Sequence, residues 1–304
     1  MLDPLVIVGP TATGKSALAL ALAQRTPGAE IVSADALAVY RGMDVGTAKP
    51  TVEERAGIIH HLIDIAEVDE EFTVSRFQDE ANAALATVAD RGGVPIVVGG
   101  TGLYVRAVVD DFSIPGQYPE VRAEIEQNPS TRALWERLDQ LDPIAAAKME
   151  PSNRRRIVRA LEVSVGTGQP FSSFGPGVDK YPPSRFRQVG LRIDRADLDR
   201  RIDDRYDAQL EAGFLDEVER LATLGLSRTA AQGLGYRELL DHLAGNVTFD
   251  EAMAAARQRT RRFARRQERW FRRDPRIAWF DADDEDLVAQ VDDWWRKAGG
   301  MATG

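Results

Sequence analysis

The amino-acid sequence predicts an α/β protein, a parallel sheet flanked by helices, and three observations carry that expectation. Residues 5–8, 30–35 and 95–98 form short β-type runs rich in Val and Ile. Helical stretches at 15–24 and 76–91 alternate with them, the arrangement of a parallel sheet covered on both faces. Between 116 and 185 the strand signal disappears, and a β-type run returns at 187–193.

Taken in order, the elements place a helical insertion inside the α/β core. The first run ends in Gly9-Pro10, and the Ala/Leu-rich segment after it starts at Lys15. The insertion carries helical stretches at 119–127, 130–139 and 154–165, then a Gly/Pro/Ser-rich loop at 166–184. Helices follow at 198–224, 236–243 and 249–273, with a last short strand at 277–280 and an acidic tail containing a final helix and a frayed end. The expected division is 1–115 with 186–304 as the core and 116–185 as the insertion. A chain of 304 residues has room for both, at roughly 150 residues per domain.

Composition excludes several classes. The chain is 43% hydrophobic and 29% charged, and its apolar runs are far shorter than the ~18 residues a membrane span needs. With no cysteine there is no disulfide, Cys-ligated zinc or thiol nucleophile. No basic segment precedes an apolar run at the N-terminus, so a cytoplasmic protein is expected. The net charge of −9 is uneven: residues 257–273 hold nine arginines against Glu268, a local +8, which leaves −17 for the rest. Arg154, Arg155, Arg156 and Arg159 form a second cluster. Two basic clusters on an acidic chain favour a polyanionic partner over two solvated helix faces.

The sharpest motif is Gly9-Pro10-Thr11-Ala12-Thr13-Gly14-Lys15-Ser16, which fits G-x-x-x-x-G-K-[ST] between a strand and a helix. This makes the core P-loop NTPase-like. Its backbone N–H groups can wrap a di- or triphosphate such as ATP, Lys15 adds a point charge, and the Ser16 hydroxyl can ligate Mg²⁺. The strand at 95–98 runs into Gly99-Gly100-Thr101 with no acid, whereas many P-loop NTPases hold the metal through an Asp at a strand end. Asp35 is the best-placed carboxylate, either as a reactive group at the phosphate crevice or as a turn cap, and Asp64 is a weaker metal candidate. His60 and His61 are adjacent on an extended segment and point to opposite faces, which argues against a shared metal.

Residues 35–50 (DALAVYRGMDVGTAKP), Gly99-Gly100-Thr101-Gly102-Leu103-Tyr104 and Gly235-Tyr236-Arg237-Glu238 decide between the remaining possibilities. With the P-loop they resemble the tRNA dimethylallyltransferases, also called tRNA isopentenyltransferases, over nearly the whole chain. The resemblance implies transfer of a dimethylallyl group from dimethylallyl diphosphate to the exocyclic amine of the adenosine 3′ to the anticodon, in tRNAs reading codons that begin with U. It implies that the P-loop holds the diphosphate, that Asp35 is the general base, and that Lys15 and Arg205 serve the leaving diphosphate. It assigns tRNA contacts to Asp35, Ala36, Leu37, Ala38, Thr101, Arg122, Arg155, Arg156, Ile157, Val158, Arg159 and Arg237. Partners on this reading are a tRNA anticodon stem-loop and dimethylallyl diphosphate, with Mg²⁺, no membrane, and a monomeric chain. Gln232 departs from the basic residue the family often carries there.

Three alternatives stand beside it. A small-molecule kinase would use Asp35 on a hydroxyl and Arg205 or Arg237 on ATP, but leaves the arginine-rich helix unexplained. A noncatalytic RNA-binding NTPase leaves residues 35–50 unused. A prenyltransferase acting on free adenine nucleotides gives the insertion no purpose.

Overall fold

The computed structural model describes residues 2–175, 177 and 180–299. In chain order the elements are β1 (Leu5–Val8), α1 (Lys15–Gln24), β2 (Ala29–Ser33), β3 (His60–His61), α2 (Val74–Asp90), β4 (Val94–Gly99) and α3 (Gly102–Val109). Then come α4 (Pro119–Glu126), α5 (Thr131–Leu141), α6 (Pro143–Ala147), α7 (Arg154–Thr167) and a 3-10 turn (Phe171–Phe174). The chain continues with β5 (Arg187–Arg192), α8 (Arg195–Glu211), α9 (Phe214–Ala222), α10 (Arg228–Ala231), α11 (Tyr236–Leu243), α12 (Phe249–Phe271), β6 (Ile277–Asp281) and α13 (Leu287–Gly299). The expected frayed end beyond 299, and residues 176, 178 and 179 of the expected loop, lie outside the described residues.

The chain divides into two compact units, Met1–Val109 with Pro183–Gly304, and Asp110–Pro182. In the larger unit one sheet runs in the order β3-β2-β4-β1-β5-β6, every neighbouring pair parallel. Because side chains alternate across a strand, β1 sends Val6 and Val8 to one layer and Leu5 and Ile7 to the other. The first layer packs against Phe77 of α2, Tyr104 of α3, Ile202 of α8 and Ala264 of α12. The second packs against Leu18 and Leu22 of α1 and Val291 and Trp295 of α13. Helices on both faces explain why the central strands read as apolar throughout.

Some elements differ from expectation for local reasons. The stretch expected as one helix over 198–224 breaks at Gly213, whose φ of 88° ends one helix turn and caps the next. The second strand stops at Ser33, which leaves Asp35 in the turn beyond it. Strand β3 is two histidines long at a sheet edge, too short and polar to signal itself.

The smaller unit has its own core of Ile125, Leu134, Leu138, Ile157, Val158 and Leu161. Three of its helices begin at side-chain caps: Ser130, Asp142 and Asn153 each accept a backbone N–H from the first turn that follows. Ile157 and Val158, expected among the tRNA contacts, are 0% and 1% exposed and their side chains pack this core, which leaves only their backbone for a partner.

Candidate active site

The glycine loop joins β1 to α1 at the carboxyl edge of the sheet. Gly9 has φ 146°, and a Cβ there would lie 2.8 Å from the Leu191 carbonyl oxygen, so only glycine fits against β5. Gly14, at φ 82°, precedes α1 and brings no side chain to its N-terminus. The buried Thr13 hydroxyl donates to the Pro10 carbonyl at 2.8 Å, and Lys15 Nζ donates to the same oxygen. Thr11 is held twice: its N–H donates to Gln267 Oε1 at 2.9 Å, and Arg205 Nη1 donates to its Oγ1 at 2.9 Å. The first turn of α1 carries no acid, and Ser16 is exposed there.

Two desolvated cations meet at this loop. Burial, and then the charge of Arg205, push Lys15 down to about 7, against the opposing pull of Asp35. Burial likewise lowers Arg205, with Asp35 again the largest opposing influence. Two partly buried cations beside a single carboxylate favour an incoming polyanion. Asp35 Oδ1 accepts the N–H groups of Leu37 at 2.8 Å and Ala38 at 3.2 Å, so one oxygen caps the turn. Its other oxygen takes no hydrogen bond among the described residues. Asp35 is also close enough to help raise the Tyr104 phenol, whose main cause is burial.

The rest of residues 35–50 is gripped by side chains from α8 and α9. Glu217 accepts N–H groups from Asp44 and Val45 at 2.8 Å and from Gly46 at 3.1 Å, together with the Tyr236 hydroxyl at 2.6 Å. Gln209 Nε2 donates to the carbonyls of Val45 and Gly46. Gly46 cannot bear a side chain, since a Cβ would lie 2.1 Å from the Phe214 ring. With Thr11, Ile202, Arg205, Tyr206, Gln209, Leu234 and Thr260 it lines a small pocket beside the glycine loop. Lys49, almost fully buried, donates to the Tyr40 carbonyl, Asp44 and Asp64. Asp64 is therefore committed to Lys49 at 2.6 Å, a structural role in place of the metal role considered for it. His61 pairs with Glu30 at 2.6 Å and His60 faces the Ile58 carbonyl at 2.9 Å.

Glu217, Gln209 and Gln267 are site-forming residues that sequence reasoning missed. A signal existed: Phe214, Glu217, Val218 and Leu221 recur at i, i+3, i+4 and i+7, which puts a carboxylate on the buried stripe of α9. Gln267 sits likewise on the buried stripe of α12, with Thr260, Ala264 and Phe271.

The arginines divide sharply. Arg257, Arg261 and Arg265 of α12 face Asp199, Asp203 and Asp207 of α8, and Arg259 pairs with Glu238 at 2.9 Å. Arg262, Arg266, Arg269 and Arg273 are exposed and make no ion pair among the described residues. In the smaller unit Arg122 and Arg159 converge on buried Glu162, and Arg154 donates to the carbonyls of Glu126, Asn128 and Pro129. That leaves Arg155 and Arg156 exposed on α7. Thr101 is half-buried after β4, and Arg237 is exposed with only a long contact to Gln232 at 3.5 Å. In the 35–38 turn Ala36 and Leu37 are partly exposed, while Ala38 is buried.

A strand, a glycine loop and a helix N-terminus at the carboxyl edge of an all-parallel sheet define an α/β protein of parallel-sheet type, here with a carboxylate beside the glycine loop and no acid after β4. The IPP transferase family model matches residues 38–274, and the chain belongs to that family. It is 51% identical over 292 residues to the tRNA dimethylallyltransferase of Kineococcus radiotolerans, covering 92% of each chain. It is 49% identical to the tRNA dimethylallyltransferase of Bifidobacterium animalis subsp. lactis, covering 93% of this chain and 83% of the relative. Among solved structures, the full-length tRNA isopentenylpyrophosphate transferase of Bacillus halodurans matches with a TM-score of 0.74 at 36% identity, covering 100% of both chains. A eukaryotic dimethylallyltransferase acting on tRNA matches with a TM-score of 0.80 at 28% identity, covering 96% of this chain and 77% of that one. The chain is accordingly an enzyme, a transferase.

Proposed function

We propose that this enzyme transfers a dimethylallyl group from dimethylallyl diphosphate to the exocyclic amine of the adenosine 3′ to the anticodon, in tRNAs reading codons that begin with U. The observation that carries the reading is Asp35, one carboxylate oxygen uncommitted, within electrostatic reach of Lys15 and Arg205 at the glycine loop.

An aromatic amine is a weak nucleophile. As its nitrogen forms a bond to the allylic carbon, the free Asp35 oxygen takes the amine proton, a contribution of typically ~10²- to 10⁴-fold. The carbon–oxygen bond to diphosphate breaks in the same step, and negative charge grows on the departing oxygens. The loop amides, Lys15 and Arg205 face that charge as fixed donors, which stabilise it without reorganising during the reaction. Among the described residues no cluster of three or more His, Asp or Glu side chains could hold a metal. The exposed Ser16 hydroxyl at the start of α1 would hold Mg²⁺ together with diphosphate oxygens and water, since this ion keeps several waters and binds through substrate phosphates. When bound, it supplies countercharge to the diphosphate. The exposed arginines of α12 and of α7 suit tRNA phosphates, which position RNA without reading its sequence. No described helix is long and apolar enough to cross a membrane.

Incubation with labelled dimethylallyl diphosphate and unmodified tRNA tests the reading. Label is expected in RNA, at the adenosine following the anticodon after nuclease digestion. Label on free adenine nucleotides alone, or phosphoryl transfer from ATP to a small acceptor, would overturn it.

A further inference from the structure

We infer that Gln267 is a positioning residue that locks the diphosphate loop to the loop after β4; the inference rests on the transfer reaction proposed above. Gln267 is 6% exposed and lies on the face of α12 opposite the free arginines. Its carboxamide is used at both ends. Oε1 accepts the Thr11 N–H at 2.9 Å, and Nε2 donates to the Gly100 carbonyl at 2.9 Å. These partners lie 256 and 167 residues away in sequence, on two different loops at the carboxyl edge of the sheet.

The packing around the amide is close. A Cβ on Gly100 would lie 2.2 Å from Gln267 Nε2, and a Cβ on Gly102 would lie 2.3 Å from the Trp270 ring, one helical turn further along α12. The glycine-rich sequence after β4 thus allows the chain to lie directly on α12, and Thr101 is carried between these two contacts. Thr11, at the other end, is already tied through its hydroxyl to Arg205. Gln267 therefore joins the loop that receives the diphosphate to the loop that presents Thr101.

Only a carboxamide meets both demands in one place. A carboxylate of the same shape has no N–H for Gly100 and sets a negative charge against an anion site. A methionine matches the length but leaves the part-buried Thr11 N–H and the buried Gly100 carbonyl without this partner, an appreciable penalty for the buried group. Loosening the link lets the two loops move independently, and a small misplacement of reacting groups slows the chemical step steeply.

The test compares Gln267→Glu and Gln267→Met with the parent enzyme in four measurements: inorganic diphosphate binding by calorimetry, tRNA binding by filter titration, single-turnover transfer at saturating donor and tRNA, and thermal melting. Diphosphate affinity is expected to fall at least tenfold in Gln267→Glu and about threefold in Gln267→Met. Single-turnover rates are expected to fall at least tenfold in both, with tRNA affinity within threefold. Diphosphate affinity and single-turnover rate both within twofold of the parent in the folded variants, with only the melting temperature lowered, would overturn the role and leave Gln267 a packing residue. If the parent itself fails to prenylate tRNA, the functional reading fails, while the diphosphate measurements still decide whether Gln267 sets the geometry of the anion site.

Discussion

Lys15 is held near pH 7 by burial and by Arg205 when no anion is bound, and the consequence is a proton-linked site. Below pH 7 its amine is charged and accepts diphosphate directly. Above pH 7 the free enzyme loses that charge, so binding takes up a proton and affinity falls by up to about tenfold per pH unit, the slope of a one-proton linkage. Calorimetry in buffers of different ionisation enthalpy should register the uptake at pH 8. In Lys15→Arg the part due to Lys15 should vanish, since a guanidinium stays charged, and the difference between the two proteins cancels the ligand's own titration. Equal proton uptake in both proteins would refute the assignment. On the proposed reaction Asp35 combines two functions that one substitution can separate. Asn at position 35 retains an oxygen to cap Leu37 and Ala38 but cannot take a proton. Asp35→Asn is expected to slow single-turnover transfer at least ~10²-fold while leaving tRNA and diphosphate affinities within a few-fold. Near-parent turnover would reduce Asp35 to its cap.

Helix α12 shows how one sequence feature splits into two roles when the helix is packed. Its arginines form a single basic run in sequence, yet Arg257, Arg261 and Arg265 turn toward Asp199, Asp203 and Asp207 of α8. Arg262, Arg266, Arg269 and Arg273 recur at intervals of three and four residues along the exposed side. This set makes no ion pair among the described residues that a phosphate would have to displace. Arg262→Gln with Arg266→Gln should flatten the slope of log tRNA affinity against log salt by roughly 1.4 to 1.8, at 0.7 to 0.9 per phosphate contact. Arg257→Gln with Arg261→Gln should leave that slope unchanged and lower the melting temperature instead, at roughly 0.2–1 kcal/mol per partly exposed ion pair. Filter-binding titrations from low to moderate salt distinguish the pairs, and identical slopes for all proteins would remove α12 from the RNA footprint. On α7 the division is similar, with Arg155 and Arg156 free and Arg159 engaged by Glu162.

The molecule as a whole has two compact units with separate cores, and its unfolding should reflect that. Calorimetry is expected to resolve two transitions. Inorganic diphosphate at about 100 times its dissociation constant should stabilise the glycine-loop unit by about 2.7 kcal/mol and raise its transition by several degrees, with the other transition unmoved. Movement of both together would mean that the chain unfolds as one cooperative block.

Much of the fold is determined locally, and that part was legible in the sequence. The apolar runs at 5–8 and 95–98, the bounds of α1 and the glycine spacing around Lys15 are short-range patterns, because backbone hydrogen bonding and side-chain periodicity act over a few residues. Asp35 could be singled out because it ends a predicted strand. What only the tertiary structure decided lies at long range. Gln267 reaches Thr11 across 256 residues, Glu217 grips Gly46 across 171, and α8 neutralises one side of α12. Ile157 and Val158 sit inside a run of arginines, and packing alone turns them into the core. Burial and charge pairing depend on which surfaces the completed sheet and helices bring together, a property of the whole chain that no local window contains.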